Sequence, residues 1–279
     1  MTTTKQIIVT LGLRRYRVER PWPNTQIDYK GISDVTVLSD GRIVALRRTT
    51  PALLVFAADG ALLDQWDIAQ LVCGHYLRPR KDGGLLIADF DGHQILALDN
   101  TGRCIWTLGD PGEPNWGAPF NHPTCAIEDT NGRLYVTDGY GNSCLHRYDS
   151  ARCLLATIGT PGNGKGQFST PHAVIVTRDQ RVLVTDRENN RVQIFNTGGT
   201  WLGQIDNVYK PMSVAEMPNG NLLVTDQVPR LSLFASDKTL LGRCRTLSTV
   251  SHGVAADHNG NIFLAEMAPD TLTKLVPIE

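Results

Sequence analysis

Short runs in which apolar and polar positions alternate recur along the chain, and each closes on a charged residue. They read GGLLIAD (83–89), GRLYVTD (132–138), QRVLVTD (180–186) and GNLLVTD (220–226), with GNIFLAE (260–266) and GRIVALR (41–47) as divergent copies. A period of two puts successive side chains on opposite faces of an extended strand, and no competing 3.6-residue helical period is present. The closing residues Arg47, Asp89, Asp138, Asp186, Asp226 and Glu266 lie 42, 49, 48, 40 and 40 positions apart. Repeats of that length, built from strand segments split by Asn-Gly and Asp-Gly turns, predict an all-β fold, a six-bladed β-propeller.

Each unit reads as four strands, as in HAVIVT (172–177), RVLVTD (181–186), RVQIF (191–195) and WLGQI (201–205). The last unit stops at Glu279 after three, while the opening segment IIVTLG (7–12) matches the outer strands CIWTLG (104–109) and LLATIG (154–159). The N-terminal strand is therefore expected to complete the last blade, closing the ring so that no sheet edge is left exposed. On this reading residues 1–279 form a single propeller domain.

Composition narrows the partners. The 27 basic and 28 acidic residues give a formal charge of −1, with no broad electrostatic footprint for nucleic acid or an anionic membrane. No run approaches ~18 consecutive apolar residues, and MTTTKQIIVTLGLRR lacks the apolar core of an export signal, so a soluble, cytoplasmic protein is expected. The six cysteines, at 73, 104, 125, 144, 153 and 244, form no CxxC pair and are expected to be buried, reduced thiols.

The candidate chemistry lies at the start of each innermost strand, where a residue points toward the propeller axis. Relative to the acid column that position holds Asp34, His75, Thr124, His172, Met212 and His252. Histidine thus occupies alternate blades, two, four and six. A lone histidine at a strand start is more often a satisfied core residue, but three related by pseudo-threefold symmetry can converge on one divalent ion and leave a coordination position open. His122, His93, His146 and His258 lack that support and are expected at the surface or behind the site, in turns or outer strands. Asp34 fits three roles, a further ligand, an arginine's partner or a channel plug.

Residues just after the acid column finish on the same face as the histidines, because the second strand runs antiparallel to the first. They include Arg48, Tyr140 in DGYGNS and Arg187 in DRENN. An arginine can ease ionisation of a phenol, a phenolate can take a proton, and a second arginine can grip a carboxylate.

These residues resemble the NHL-repeat propeller of the peptidyl-α-hydroxyglycine α-amidating lyases. The likeness covers most of the chain and is sharpest across residues 123–148 and 164–195, through GYGNS, GQFSTPH and DRENNR. It implies zinc ligands at His75, His172 and His252, a base at Tyr140 and its partner at Arg187. It also implies Arg48, or its register neighbour Arg47, beside a substrate carboxylate. The activity implied is zinc-dependent C–N cleavage of an N-acyl hemiaminal. The family's structural calcium uses an aspartate directly after the third histidine plus two carbonyls. Here Gly253 stands at the aspartate position, with Leu77 and Val35 at the carbonyl positions, which argues against calcium. Gly141 replaces a cysteine expected after the tyrosine, Val250 replaces a methionine, and no segment resembles the companion copper hydroxylase.

Two other readings remain open on the sequence. One is a metal-dependent hydrolase using the same face with a metal-activated water, as six-bladed lactonases share the architecture. The other is a non-catalytic NHL interaction module, since repeat surfaces are generic binding platforms. The expected partner is a small molecule, carboxylate-bearing if the arginines contact it; the oligomeric state is left open.

Overall fold

The acid-terminated runs are the second strands of their sheets. In the computed structural model, which describes residues 6–23 and 26–278, Leu85–Asp89, Leu134–Asp138, Arg181–Asp186, Leu222–Asp226 and Ile262–Met267 each lie between an inner and a third strand. Residues 1–5 and 279, the ends of the span expected as one domain, lie outside the described residues. Five sheets have four antiparallel strands and one has five. The innermost strands are Ile32–Val37, Gly74–Pro79, Cys125–Glu128, Pro171–Val176, Pro211–Glu216 and Val250–Ala256; each packs beside the next, and the last beside the first, in a six-membered ring.

Packing explains why the second strands are almost wholly apolar. Each blade is sandwiched between two others, so both of its faces are buried, and LLIAD and LYVTD are buried throughout. One apolar cluster fills each seam. Leu46, Leu53 and Val55 of blade one meet Leu77, Leu85 and Ile87 of blade two. Ile32, Val35 and Phe56 meet Ala255, Phe263 and Leu272 of blade six, which closes the ring. Fully burying a Leu, Ile or Phe side chain contributes roughly 1.5–3 kcal/mol, so these seams hold the blades in register.

The N-terminal segment closes the last blade, one strand differently from expectation. Arg14–Glu19, rather than residues 7–12, pairs with the C-terminal strand Thr271–Ile278, and Ile8–Leu11 adds a fifth strand outside it. The inner of the two wins because Tyr16 enters the seam between blades five and six beside Leu11, Leu233 and Leu264. The turn between them places Gly12 at φ 63°, a conformation that favours glycine. Gly242 faces it so closely that a Cβ there would lie 2.5 Å from the Gly12 nitrogen.

The cysteines are free thiols, but not all are buried as expected. Cys125 and Cys144 are buried, Cys73, Cys104 and Cys244 are half-buried, and Cys153 is exposed, because it precedes the outermost strand of blade three. Among the described residues no helix is long and apolar enough to cross a membrane.

Candidate metal centre

The acids that mark the repeat also set the height of the residues facing the axis. Asp89 accepts backbone N–H bonds from Val72 and Cys73 at 3.0 and 2.7 Å. Asp138 accepts from Asn121, Asp186 from Ser169 and Asp226 from Tyr209, each amide lying 17 positions upstream of its acid. Those pinned amides precede His75, Thr124, His172 and Met212 by three residues, so each acid anchors the loop that delivers one axial side chain. Glu266 does the same for Leu247 and Ser248. Arg47 inverts the pattern. It donates to the carbonyls of Asp28 and Pro51 and so stays inside its own blade, away from the histidines.

His75, His172 and His252 converge on the axis, fully or almost fully buried, with ring centroids 4.7–5.0 Å apart. Their ligand nitrogens lie within 4.8 Å of one another. In each ring Nδ1 faces a backbone carbonyl of the next blade: Thr124 at 2.9 Å for His75, Met212 at 2.9 Å for His172 and Ser33 at 2.7 Å for His252. A carbonyl only accepts, so Nδ1 carries the proton and the lone pair of Nε2 points to the common centre. The threefold relation is complete, because blades two, four and six supply imidazoles and blades three, five and one supply the carbonyls that orient them. This also corrects the column in blade one. Ser33, not Asp34, holds the axial position there, 14 positions before Arg47 as His252 lies 14 before Glu266; a bulge between Ile32 and Asp34 matches the one at His252, so Asp34 stands at the place that Gly253 has in blade six.

Burial, and then the mutual repulsion of the rings, holds His75 and His172 well below the usual imidazole range. Burial, reinforced by Arg48, brings His252 down to about 3. Neutral, oriented imidazoles that share one centre are the donor set of a divalent transition-metal site, and the residues present fit such an ion.

Tyr140 stands over the triad. Its Oη is 2.9 Å from His75 Nε2 and 3.1 Å from His172 Nε2. Arg187 donates to the same oxygen from Nη1 at 3.3 Å, lies over the phenol ring at 5.4 Å and is steadied by Glu188 at 3.0 Å. Glu188 in turn pairs with Lys210 at 2.9 Å. Arg48 reaches the site from blade one, donating to Ser33 Oγ at 3.2 Å and lying 5.5 Å from the centre of the Phe90 ring; its buried Nε has no hydrogen-bond partner among the described residues. Tyr140, Arg187 and Arg48 are therefore brought together above the histidines, and Phe90, which the sequence did not single out, forms a wall beside His75 and Tyr140.

Beneath the triad the residues do not fit a calcium ion. Asp34 places Oδ1 2.1 Å from where a Cβ on Gly253 would stand, so its carboxylate fills the space that a side chain at 253 would need. Arg78 donates from Nη1 to Asp34 Oδ2 at 2.7 Å and to the Leu77 carbonyl at 2.8 Å. A guanidinium thus already occupies both groups. Burial pushes Asp34 up to about 6 even though Arg78 and the Leu77 and Val35 amides oppose the rise.

The remaining histidines separate. His258 is exposed, whereas His93 is buried in a turn against the half-buried His122, their centroids 4.3 Å apart. His146 departs from its expected place: it is buried in the third strand of blade three, near Asp138 at 3.2 Å and Thr157 at 3.0 Å. Together with Cys144 it gathers three ligand types, but strand register explains it more simply. His146 lies two residues beyond Cys144, the partner of Asp138, as Gln193 lies two beyond Arg191, the partner of Asp186, and Gln193 likewise donates to its acid. Gly141, the other departure, would bring a Cβ to 2.3 Å from Asn121 Cγ, so nothing larger fits beside the tyrosine.

Comparison with known proteins agrees with the repeat and the fold. The NHL repeat family matches residues 168–195, the segment carrying His172, Asp186 and Arg187. NHL repeat-containing protein 3 of Mus musculus is 27% identical over 292 residues, 94% of this chain and 84% of that protein. "Probable peptidyl-alpha-hydroxyglycine alpha-amidating lyase pgal-1" of Caenorhabditis elegans is 30% identical over 153 residues, 52% of this chain and 43% of that protein. A gluconolactonase structure from Xanthomonas campestris aligns with a TM-score of 0.72 over 99% of this chain and 96% of the other, at 14% identity, a likeness of fold alone. The chain is a six-bladed β-propeller with an NHL-repeat match at residues 168–195, similar over nearly its whole length to NHL repeat-containing protein 3 and over about half of it to a probable amidating lyase.

Proposed function

We propose that the protein is a zinc-dependent carbon–nitrogen lyase acting on an N-acyl hemiaminal, either an α-hydroxyglycine-type amide or a related small carbinolamine. One observation carries this reading: three Nε2 atoms share a centre, and the phenol of Tyr140 above them is bonded to both the triad and a guanidinium. Similarity to an amidating lyase supports it. The histidines His75, His172 and His252 would hold the ion, and three imidazoles suit zinc, which supplies Lewis-acid polarisation of the substrate oxygen.

The chain's own groups account for the proton transfers. Tyr140, to whose oxygen Arg187 donates, takes the substrate hydroxyl proton. The O–H electrons become the second bond of a carbonyl, the C–N bond breaks, and its electron pair leaves with the amide nitrogen. Tyr140 returns the proton to that nitrogen, so no water is consumed. Arg48, whose Nε has no partner among the described residues, grips a carboxylate on the substrate.

Metal analysis of the purified protein, followed by incubation with N-benzoyl-α-hydroxyglycine, tests the assignment. Stoichiometric zinc with release of benzamide and glyoxylate is the expected result. Absence of a divalent metal rejects the site, and solvent ¹⁸O in the product identifies a hydrolase using metal-activated water instead.

A further inference from the structure

Directly under the histidines the propeller axis is filled by side chains that the chemistry above does not use. Tyr76, adjacent to His75, is fully buried, and the bulge that turns both residues inward lies between Gly74 and Leu77. Its hydroxyl lies 2.8 Å from the Met212 carbonyl, 2.7 Å from the His252 carbonyl and 3.2 Å from His172 Nδ1. The Met212 carbonyl is the one that orients His172, and the His252 carbonyl belongs to a triad residue itself. One hydroxyl therefore sits at the junction of two of the three triad strands. The ring reinforces this, stacked on His252 at 4.8 Å and 17° and edge-on to His75 and His172 at 4.8 and 5.3 Å.

Below the ring, the Arg78 guanidinium lies 5.0 Å from its centre. The guanidinium is fixed by Asp34 and the Leu77 carbonyl, and its Nη2 reaches Ser213 Oγ at 3.4 Å. A cation this deeply buried is costly unless an anion accompanies it, and Asp34 can do so only because Gly253 has no side chain. The Asp34–Arg78 pair is thus a built floor for Tyr76, assembled from blades one, two and six.

The geometry points to Tyr76 and Arg78 as positioning residues: Arg78, paired with Asp34, is the axial cation of this propeller, and through Tyr76 it sets the orientation of His172 and His252 toward the ion. The inference rests on the triad holding a metal. It follows that affinity for the ion on one face depends on an ion pair in the channel below, and that calcium has no part in the fold.

Zinc affinity measured by competition with a chelating dye, together with the visible spectrum of the cobalt-substituted protein, tests this. Tyr76→Phe removes only the hydroxyl and is expected to weaken zinc binding about 10-fold and to shift the cobalt bands, as loss of a group that orients metal ligands commonly does. Arg78→Met is expected to act in the same direction, with Arg78→Lys recovering part of the loss. Calcium chloride or a calcium chelator leaves the wild-type melting temperature unchanged. If Arg78→Met does not fold, Asp34→Asn and Tyr76→Phe carry the test. Folded variants that bind zinc within 2-fold of wild type with unaltered cobalt spectra overturn the inference, as does stabilisation of the wild type by calcium. A wild-type protein that binds no zinc overturns the metal reading itself.

Discussion

Tyr140 Oη lies closer to two imidazole nitrogens than to the arginine that steadies it, 2.9 and 3.1 Å against 3.3 Å. Under the proposed function, that placement separates binding from proton transfer. Tyr140→Phe keeps the ring that packs on Phe90 and leaves every Nδ1–carbonyl bond intact, so zinc content is expected to remain stoichiometric while kcat falls at least ~100-fold, the low end of what a positioned base supplies. Loss of metal in that variant would show that the phenol holds the ion rather than moving a proton. The three histidines were legible in the sequence because a repeat turns single residues into a column. Ser33 was legible by the same count, since it lies 14 positions before Arg47 as each other axial residue lies 14 before its acid, and Asp34 is one position off that interval. Tyr76 and Arg78 leave no signature along the chain, because a tyrosine beside a histidine and an arginine in an apolar strand read as ordinary core and surface until six strands meet.

At the scale of the strand, the acid column links fold to site. Asp186 accepts from the Ser169 amide, Asn189, Arg191 and Gln193 with no exposure to solvent, so it pins the loop before His172 and neutralises a buried guanidinium together. Asp186→Asn keeps the shape but leaves Arg191 uncompensated, and is expected to cost about 3 kcal/mol in urea unfolding, the size of a broken buried pair. A loss below ~1 kcal/mol would mean that Arg191 finds its partners among the Gly164 and Gln167 carbonyls alone. The closing strands give a second expectation. Deleting residues 1–12 removes the fifth strand and lowers the melting temperature while blade six keeps four strands. Deletion through Glu19 takes Tyr16 out of its seam and exposes Thr271–Ile278 as an open edge, so a folded monomer is not expected by circular dichroism. The strand RRYRVE escaped notice because Arg14, Arg15 and Arg17 mask the alternation of Tyr16 and Val18, whereas IIVTLG looks like its neighbours' outer strands.

For the whole molecule, burying three imidazoles and a carboxylate on one axis makes the metal-free protein respond to pH in two opposed senses. The histidines are held below their unfolded value near 6.5, with His252 at about 3, so the unfolded chain takes up protons that the folded one refuses. Their contribution is full above pH 6.5 and is lost as pH falls through that value toward the folded ones, at about 1.4 kcal/mol per pH unit for each group. Asp34 works the other way. Its folded value of about 6 exceeds the unfolded 3.8, so its contribution is present below 3.8 and is lost as pH rises through 6, which offsets one histidine between those limits. Urea unfolding of the chelator-treated protein is thus expected to lose roughly 2–3 kcal/mol per unit on going from pH 6 to pH 5, and His172→Gln to reduce that slope by about 1.4 kcal/mol per unit. Saturating zinc is expected to bind the folded, unprotonated triad and to raise stability with its concentration. A slope near zero in the metal-free protein would mean that the imidazoles titrate in water, and a solvated triad cannot be the dry, oriented site that the fold builds.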